Sequence, residues 1–338
     1  MTPAHDPSCR VAIVGAATLR GKELNQLISD TAFPASDIRL LDDETVAGLL
    51  TEAGGEATFI KQIEEDSFAG ARFVFFAGVR EFTAQHWPTA RRFGATVIDL
   101  TGELAAMPEA VPWIPALDPV LPPPQAPAGS LFVSPGAATI VACTLAAGLS
   151  RFPVARLAIT LLRPAAERGQ PGIDELESQA VNLLSFQPVA KEVFDAQVAF
   201  NFLARYGEAS SERLGDVRSA IARDVARYLA GRIPVPAIQL VQAPVFYSYT
   251  FAAFAELAAA VKEAELEKSL AAAGARIAVP GDEAPSNISV AGGGELVLSP
   301  VERDPHAASG YWLWGAADNV RLDAANALRI ASELLRSG

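Results

Sequence analysis

The stretch Val14-Gly15-Ala16-Ala17-Thr18-Leu19-Arg20-Gly21 decides the fold of this chain. It joins an apolar run, residues 10–14, to a segment in which apolar side chains recur at helical spacing. Gly15 permits a tight turn after the strand, and Gly21 permits the helix to pack closely against that strand. A strand, a glycine-rich turn and a helix in this order are typical of a dinucleotide-binding α/β domain, because the first turn of the helix offers N–H groups to a phosphate.

The sequence after this turn repeats the same alternation. Apolar strands are predicted at 38–41, 72–77 and 95–100, and a helix is predicted at 82–93. Strands that are apolar throughout and alternate with helices indicate a parallel sheet with both faces covered. We therefore predict an α/β fold, with a Rossmann-type parallel-sheet domain first and an α+β domain after it. In the second domain, Val198–Leu203 is predicted to be a further strand.

Length and composition limit the possible functions. A chain of 338 residues suits two domains. The net charge of −12 argues against a nucleic-acid partner, because phosphates repel an acidic surface. The two cysteines, Cys9 and Cys143, are too few for a disulfide framework and fit a reducing cytoplasm. No apolar run is long enough to span a bilayer, and the short, polar segment Met1–Arg10 does not have the pattern of a signal peptide. No group of histidines, cysteines and carboxylates has the spacing of metal ligands. We expect a cytoplasmic protein without a membrane segment or a bound metal.

Several further segments, in their order and spacing, resemble the aspartate-semialdehyde dehydrogenase family. The resemblance extends from about Val11 to Leu335, although no single segment is specific. The matching segments include Asp66-Ser67-Phe68-Ala69-Gly70, Phe76-Ala77-Gly78, Gly94-Ala95-Thr96-Val97-Ile98-Asp99, Glu175-Leu176-Glu177-Ser178-Gln179, Val198-Ala199-Phe200-Asn201 and Asp318-Asn319-Val320-Arg321.

The resemblance implies a division into domains and an assembly. Residues 1–136 would form the dinucleotide-binding domain and residues 137–316 the dimerisation and catalytic-type domain. Residues 317–338 would form a C-terminal helix that packs back on the first domain. A homodimer through the sheet face of the second domain is implied. Alanine richness over Phe246–Gly274 favours a helix, whereas the family pattern favours a strand up to about Leu257 and a helix after it. We follow the family pattern.

The family's reaction begins when a cysteine thiolate attacks an aldehyde carbon. A histidine removes protons, hydride passes to NADP, and phosphate cleaves the resulting thioester. The segment Ser134-Pro135-Gly136-Ala137-Ala138-Thr139 resembles the family's Asn-Pro-Asn-Cys-Ser/Thr-Thr, so the nucleophile falls on Ala137. A methyl group cannot form the covalent intermediate. Cys143, six residues further along the predicted helix, points well away from the direction of Ala137.

The other catalytic positions of the family are changed as well. The segment Ala243-Pro244-Val245-Phe246-Tyr247-Ser248-Tyr249-Thr250 resembles the family's Val-Pro-Val-x-x-Gly-His-Ser, so the base falls on Tyr249. The Gln or Glu that orients the intermediate falls on Leu162, and the arginine that holds the substrate carboxylate falls on Gln242. We therefore expect no catalytic residue at Ala137 or at these three positions.

The cofactor positions are partly kept. The resemblance places them at Gly15, Thr18, Leu19, Gly21, Asp42, Ala77, Gly78 and Asn319. The family's middle glycine, which lets the backbone approach the phosphates, has become Thr18, whose hydroxyl could also donate to a diphosphate. Three acids, Asp42-Asp43-Glu44, stand where the family grips the 2′-phosphate of NADP. Because carboxylates repel phosphate but accept from a ribose 2′-OH, we expect NAD rather than NADP. A turn that only packs the fold and binds no cofactor is the alternative.

Three functions remain open. The first is a catalytically disabled homologue of the family, which keeps the fold and the dimer and has a binding or regulatory role. The second is a divergent NAD-linked oxidoreductase that acts on a small carbonyl or semialdehyde substrate without a cysteine nucleophile, with Tyr249 as a proton or hydrogen-bond donor. The third is an interaction module without a ligand, whose acidic surface would suit a basic or neutral protein partner.

Overall fold

A computed structural model describes residues 9–31, 33–122 and 131–337, which form two compact units. The described residues of the first unit come from Met1–Pro115, Pro123–Gly136 and Asp323–Gly338, and those of the second from Ala116–Pro122 and Ala137–Leu322. Each unit contains its own large sheet.

The first unit begins with alternating strands and helices. In chain order its elements are β1 (Cys9–Val14), α1 (Leu19–Asp30), β2 (Ala35–Asp42), β3 (Leu50–Ala53), β4 (Glu56–Phe59), β5 (Lys61–Gln62), β6 (Phe73–Phe76), α2 (Arg80–Arg92), β7 (Thr96–Asp99), β8 (Ala110–Pro112) and β9 (Leu131–Val133).

Seven of these strands form one parallel sheet within the described residues. Their order is β5-β2-β1-β6-β7-β9-β8, while β3 and β4 pair with each other as an antiparallel hairpin. Val11–Val14 and Phe73–Phe76 are buried along their whole length, as strands with both faces covered must be. The strand order reverses beside β1, which is where open α/β sheets bind ligands at the carboxyl ends of their strands. The predicted Rossmann-type parallel-sheet domain is confirmed.

Two glycines allow the turn after β1 to close. Gly15 has a φ of +82°, in the left-handed region that favours glycine. A Cβ on Gly15 would lie 2.3 Å from Cα of Gly78, and a Cβ on Gly21 would lie 2.1 Å from the carbonyl oxygen of Gly15. Backbone atoms at these distances leave no room for a side chain. The glycine pattern is therefore required by packing, whether or not a cofactor binds.

The second unit mixes helices with a second sheet. In chain order its elements are α3 (Ala137–Leu149), β10 (Val154–Arg163), α4 (Gly169–Leu184), α5 (Leu214–Leu229), β11 (Ala237–Gln242), β12 (Tyr249–Leu257), α6 (Glu263–Ala272), β13 (Ala275–Ile277), β14 (Leu296–Leu298), β15 (Glu302–Arg303), β16 (Gly310–Ala317) and the start of α7 (Asn319–Ser337).

The second sheet has one buried and one half-exposed face. Its described strands follow the order β11-β10-β12-β16-β14-β13, with β15 paired to β16. β10 runs parallel to β11, whereas β12 is antiparallel to both β10 and β16. Leu157, Ile159 and Leu161 of β10 are buried, while Ala158 and Thr160 between them are half-buried. The inner face packs against helices, since α3 contacts β10 and α5 contacts β11. The second domain is therefore the α+β unit that the sequence predicts.

The last helix begins in the second unit and continues in the first. From Asp323 onward α7 belongs to the first unit, where it joins the core around β1. Its buried residues there include Ala324, Ala327, Leu328, Ile330 and Ala331. None of the helices in the described residues combines the length and apolarity needed to cross a bilayer.

Two local predictions in the second unit have opposite outcomes. The expected strand and helix within Phe246–Gly274 are confirmed, because β12 ends at Leu257 and α6 follows it. In this segment the family pattern outweighs the helix propensity of alanine.

The strand predicted at Val198–Leu203 is wrong. Phe200 has a φ of +60°, which interrupts an extended run. The N–H groups of Val198 and Ala199 donate to Oε1 of buried Gln179, at 2.7 and 3.2 Å. A side-chain amide thus accepts the bonds that a neighbouring strand would otherwise accept.

Candidate functional site

The glycine-rich turn lies at the carboxyl ends of the central strands of the first sheet. The N–H groups of Gly15 and Ala16 donate to the carbonyl of Leu41 in β2, at 2.9 and 3.2 Å. The N–H of Ala77, just after β6, donates to the carbonyl of Val14 at 2.8 Å. Seven of the positions predicted to contact a cofactor therefore lie together, at the turn after β1, the start of α1 and the ends of β2 and β6. They are Gly15, Thr18, Leu19, Gly21, Asp42, Ala77 and Gly78.

The hydroxyl of Thr18 is used by the turn itself. It accepts the N–H of Gly21 at 3.0 Å, as the N-cap of α1. Its single hydrogen points to carbonyl oxygens, with that of Gly15 at 2.8 Å and that of Ala77 at 3.0 Å. A hydrogen bond from Thr18 to a diphosphate would require the loss of these contacts.

Asp42 also bonds to the turn. Its Oδ2 accepts the N–H of Ala17 at 2.8 Å, and its Oδ1 accepts the N–H of Asp43 at 3.0 Å. One N–H of the glycine-rich turn is therefore already bound to a carboxylate. The hydroxyl and N–H of Thr45 donate to Asp43 and lower the pKa of that carboxyl, so it is charged at neutral pH. The acidic end of β2 opposes the approach of an additional phosphate.

The eighth cofactor position, Asn319, belongs to the second unit. Its Oδ1 accepts the N–H of Ser248 at 3.0 Å, and its Nδ2 donates to Oε1 of Glu167 at 2.8 Å. Asn319 is buried, and both ends of its amide join segments of the second unit.

Of the matched catalytic positions in the second sheet, Gln242 and Tyr249 lie together and Leu162 lies apart from them. Arg163 and Gln242 are register partners at the ends of β10 and β11, and Tyr249 begins β12 beside them. The side chains of Gln242 and Tyr249 lie on the buried face. Leu162 is half-buried and points to the opposite face, because side chains alternate along a strand. Arg163, rather than Leu162, is the residue of β10 that joins Gln242 and Tyr249.

Gln242 is completely enclosed by the chain. It is 0% exposed, and its Oε1 accepts the hydroxyl of Tyr206 at 2.6 Å. Its Nε2 donates to the carbonyl oxygens of Arg163 and Ala243, at 2.9 and 3.0 Å. The amide thus uses both of its N–H groups and its oxygen within the chain.

Arg163 is a buried cation with several partners. Its Nη1 donates to the hydroxyl of Tyr206 at 2.8 Å, and its guanidinium forms an ion pair with Glu212. Burial alone would lower the pKa of Arg163, but Tyr206, Tyr249 and Glu212 raise it above its ordinary value, so the side chain stays charged. Arg168 reaches the same carboxylate at 3.4 Å. We call Arg163, Tyr206, Glu212 and Gln242 the buried network.

Ala137 offers no reactive group. It is the first residue of α3 and is buried, with a methyl side chain. Cys143 on the same helix is fully buried, and burial raises the pKa of its thiol far above its ordinary value. A neutral, enclosed thiol is not a nucleophile at neutral pH.

The turn before Tyr249 keeps an unusual backbone. Ser248 has a φ of +70°, a left-handed conformation that favours glycine. The family motif that this segment resembles has glycine at that position. Ser248 is fully buried, and its Oγ has no hydrogen-bond partner within the described residues. The backbone conformation is therefore present although the residue that favours it has been replaced.

Sequence reasoning missed three members of the buried network. Arg163 gave a signal, because this charged residue directly follows the apolar residues Leu161 and Leu162 in β10. Tyr206 and Glu212 lie 43 and 49 residues further along the chain. They belong to the segment between α4 and α5, which forms no helix or strand, so no regular element pairs them with Arg163.

Two family descriptions match this chain. The one described as "Semialdehyde dehydrogenase, NAD binding domain" matches residues 10–120. The one described as "Semialdehyde dehydrogenase, dimerisation domain" matches residues 151–322. The second match covers the strands that carry Gln242 and Tyr249.

Three similar proteins each match at least 96% of this chain and at least 97% of their own length. A USG-1 protein homolog of Azotobacter vinelandii is 29% identical, with 100% of both chains covered. Aspartate-semialdehyde dehydrogenase 2 of Vibrio cholerae is 26% identical, with 96% of this chain and 97% of its own covered. The structure of a probable aspartate-semialdehyde dehydrogenase from Pseudomonas aeruginosa has a TM-score of 0.86 at 28% identity, with 97% of this chain and 98% of its own covered. Since the two matches together span most of the sequence in the expected order, this chain belongs to the semialdehyde dehydrogenase family.

Proposed function

We propose that this protein is a catalytically disabled homologue of aspartate-semialdehyde dehydrogenase with a binding or regulatory role. The observation that carries the proposal is the state of Gln242. The resemblance matches this position to the arginine that holds the substrate carboxylate. Here the side chain is fully buried, and its amide is bonded to Tyr206, Arg163 and Ala243. A neutral side chain enclosed in this way cannot hold a substrate carboxylate.

The other matched positions support the same conclusion. The methyl group of Ala137 cannot form a thioester, and Cys143 is enclosed on the same helix. Tyr249 is 1% exposed and lies beside the charged Arg163. A phenol in this position is shielded from a substrate, which argues against the second function, an oxidoreductase with Tyr249 as the donor.

Any bound cofactor is proposed to be NAD rather than NADP. Asp42 and the ionised Asp43 stand at the end of β2, where dinucleotide-binding domains meet the adenine ribose. A carboxylate there accepts from a free 2′-OH and repels a 2′-phosphate. The contacts of Thr18 and Asp42 within the turn indicate that NAD binds weakly or not at all.

A homodimer is proposed to form through the half-exposed face of the second sheet. Trp312 and Trp314 of β16 are 46% and 42% exposed on this face. Their indole N–H groups already donate within the chain, to Asp304 at 2.9 Å and to the carbonyl of Pro285 at 2.8 Å. The apolar ring surfaces are therefore available for a partner, and interfaces are enriched in such aromatic residues. A second copy suits this face because the matched domain is a dimerisation domain.

A cytoplasmic location is also part of the proposal. Cys9 and Cys143 are both free and buried, which fits a compartment where thiols remain reduced.

The purified protein is expected not to reduce NAD or NADP with aspartate semialdehyde and phosphate. Ala137→Cys is expected to remain inactive as well, because the new thiol would lack a base and a cation for the substrate. Loss of a nucleophile alone lowers such reactions by several orders of magnitude. The measurement is nicotinamide absorbance at high substrate concentration, with an active family member assayed in parallel. Phosphate-dependent reduction by the wild-type chain would contradict the proposal.

Calorimetric titration at matched salt is expected to show that NADP binds more weakly than NAD. Asp42→Asn removes a charge but keeps an oxygen that can accept the N–H of Ala17. It should reduce the preference for NAD roughly tenfold, about 1.4 kcal/mol. Glu56→Gln, which removes a charge from the exposed β4, is the matched control. Tighter binding of NADP by the wild type would disprove the preference, and no binding of either would make the turn a packing element only.

Trp314→Glu is expected to convert a dimer to a monomer, because it places a charge on the half-exposed sheet face. Sedimentation velocity of the wild type and the variant measures the change. Ala226→Glu, at an exposed position of α5 on the side of the sheet that helices cover, makes the same kind of change elsewhere and should leave the dimer intact. A monomeric wild type, or a Trp314→Glu variant that still dimerises, would refute this interface.

A further inference from the structure

A cavity of about 380 Å³ lies at the end of the second sheet opposite to the buried network. Its walls come from the starts of β10 and β11, the last turn of α3 and the segment 232–236 that leads into β11. β10 and β11 run parallel and end at Arg163 and Gln242. The cavity and the buried network are therefore separated by the length of these strands.

The inner wall of the cavity is apolar and rigid. Ala146, Leu149, Leu157 and Ile233 line it and are buried. The segment Ile233-Pro234-Val235-Pro236 forms one side, and its two prolines have fixed φ angles and no N–H groups. A preformed apolar space of this volume is of the size that small molecules occupy in proteins.

The mouth of the cavity is positively charged. Arg156 and Arg232 line the cavity and are exposed, in contrast to the buried residues of the inner wall. Nη1 of Arg232 donates to the carbonyl of Pro122 at 2.8 Å, which holds the guanidinium in place. Arg151 stacks over the ring of Phe152, another lining residue, at 4.9 Å. Glu256, the register partner of Arg156 on β12, is the acidic neighbour across the sheet. Two of the lining residues are arginines, although the chain has a net charge of −12.

The position of α3 restricts where an anion can lie. The helix ends at Leu149, a lining residue, and the partial negative charge of a helix C-terminus disfavours an anionic group beside it. An anionic group is therefore favoured beside the exposed Arg232 and disfavoured beside the end of α3. The apolar inner wall suits a hydrocarbon or aromatic body.

We propose that this cavity is a binding site for a small amphipathic organic anion, such as a medium-chain carboxylate. The apolar body lies between Leu149, Leu157 and Ile233, and the carboxylate lies at the mouth beside Arg232. Binding at this cavity uses none of the residues matched to the family reaction. A test of this binding is therefore independent of a test of the proposed loss of catalysis.

Calorimetry of the full chain with octanoate, octanol and acetate tests the site. Octanoate, used below the concentration at which it forms micelles, is expected to bind once per chain and roughly tenfold more tightly than octanol, because the carboxylate meets a guanidinium. Acetate, which lacks an apolar body, should bind too weakly to saturate. Absence of octanoate binding, or equal binding of octanol, would overturn the proposal.

Paired variants locate the site. Arg232→Gln should weaken octanoate binding roughly tenfold, whereas Arg223→Gln, at an exposed position of α5 outside the cavity, should not. Val235→Glu should abolish binding by repulsion at the cavity wall, whereas Val279→Glu, at another exposed valine, should not. Equal effects of a variant and its control would place octanoate elsewhere and contradict the proposal.

Discussion

The second unit depends on the way it holds one buried charge, the guanidinium of Arg163. An uncompensated ion in a protein interior costs several kcal/mol, so the chain must place polar groups around it. Glu212 and Tyr206 do so from a segment that has no helix or strand of its own. The ion pair therefore holds this segment to the end of β10, and Tyr206 extends the contact to Gln242 on β11. The side chains of the buried network thus bond to one another and to the backbone at this end of the sheet.

In the first unit, the polar groups that need hydrogen-bond partners are backbone N–H groups. The turn after β1 and the start of α1 present N–H groups that dinucleotide-binding domains direct to phosphate. Here Thr18 accepts the N–H of Gly21, and Asp42 accepts the N–H of Ala17. These contacts stabilise the turn without a ligand. Both units thus retain the family's framework. In both, side chains of the chain itself bond to groups at the positions matched to the family's cofactor and substrate sites.

The sequence predicted the framework well because the signals were local. The apolar run at β1, Gly15 and Gly21 specify a strand, a turn and a helix over a short stretch, and the parallel sheet follows from their repetition. The strand predicted at Val198–Leu203 was wrong because its backbone bonds to the side chain of Gln179, which no periodicity reveals.

The sites were harder to predict than the fold. Four positions could be matched by resemblance, but the face to which each side chain points depends on strand register. That register places Leu162 on the outer face and Arg163 beside Gln242. The partners of Arg163, Tyr206 and Glu212, come from a distant irregular segment, and the cavity at the opposite end of the sheet forms from separate elements. Contacts of this kind arise only when the chain is folded.

Equilibrium unfolding of Glu212→Gln tests most directly whether the buried network serves structure rather than catalysis. We expect this variant to lower the free energy of unfolding by roughly 3 kcal/mol, the lower part of the range for a broken buried ion pair, because the Glu212 side chain is 31% exposed. Glu208→Gln, a nearby exposed change, should have little effect. Denaturant titration followed by circular dichroism measures both variants. Unchanged stability of Glu212→Gln would show that the fold does not need this ion pair and would contradict the account.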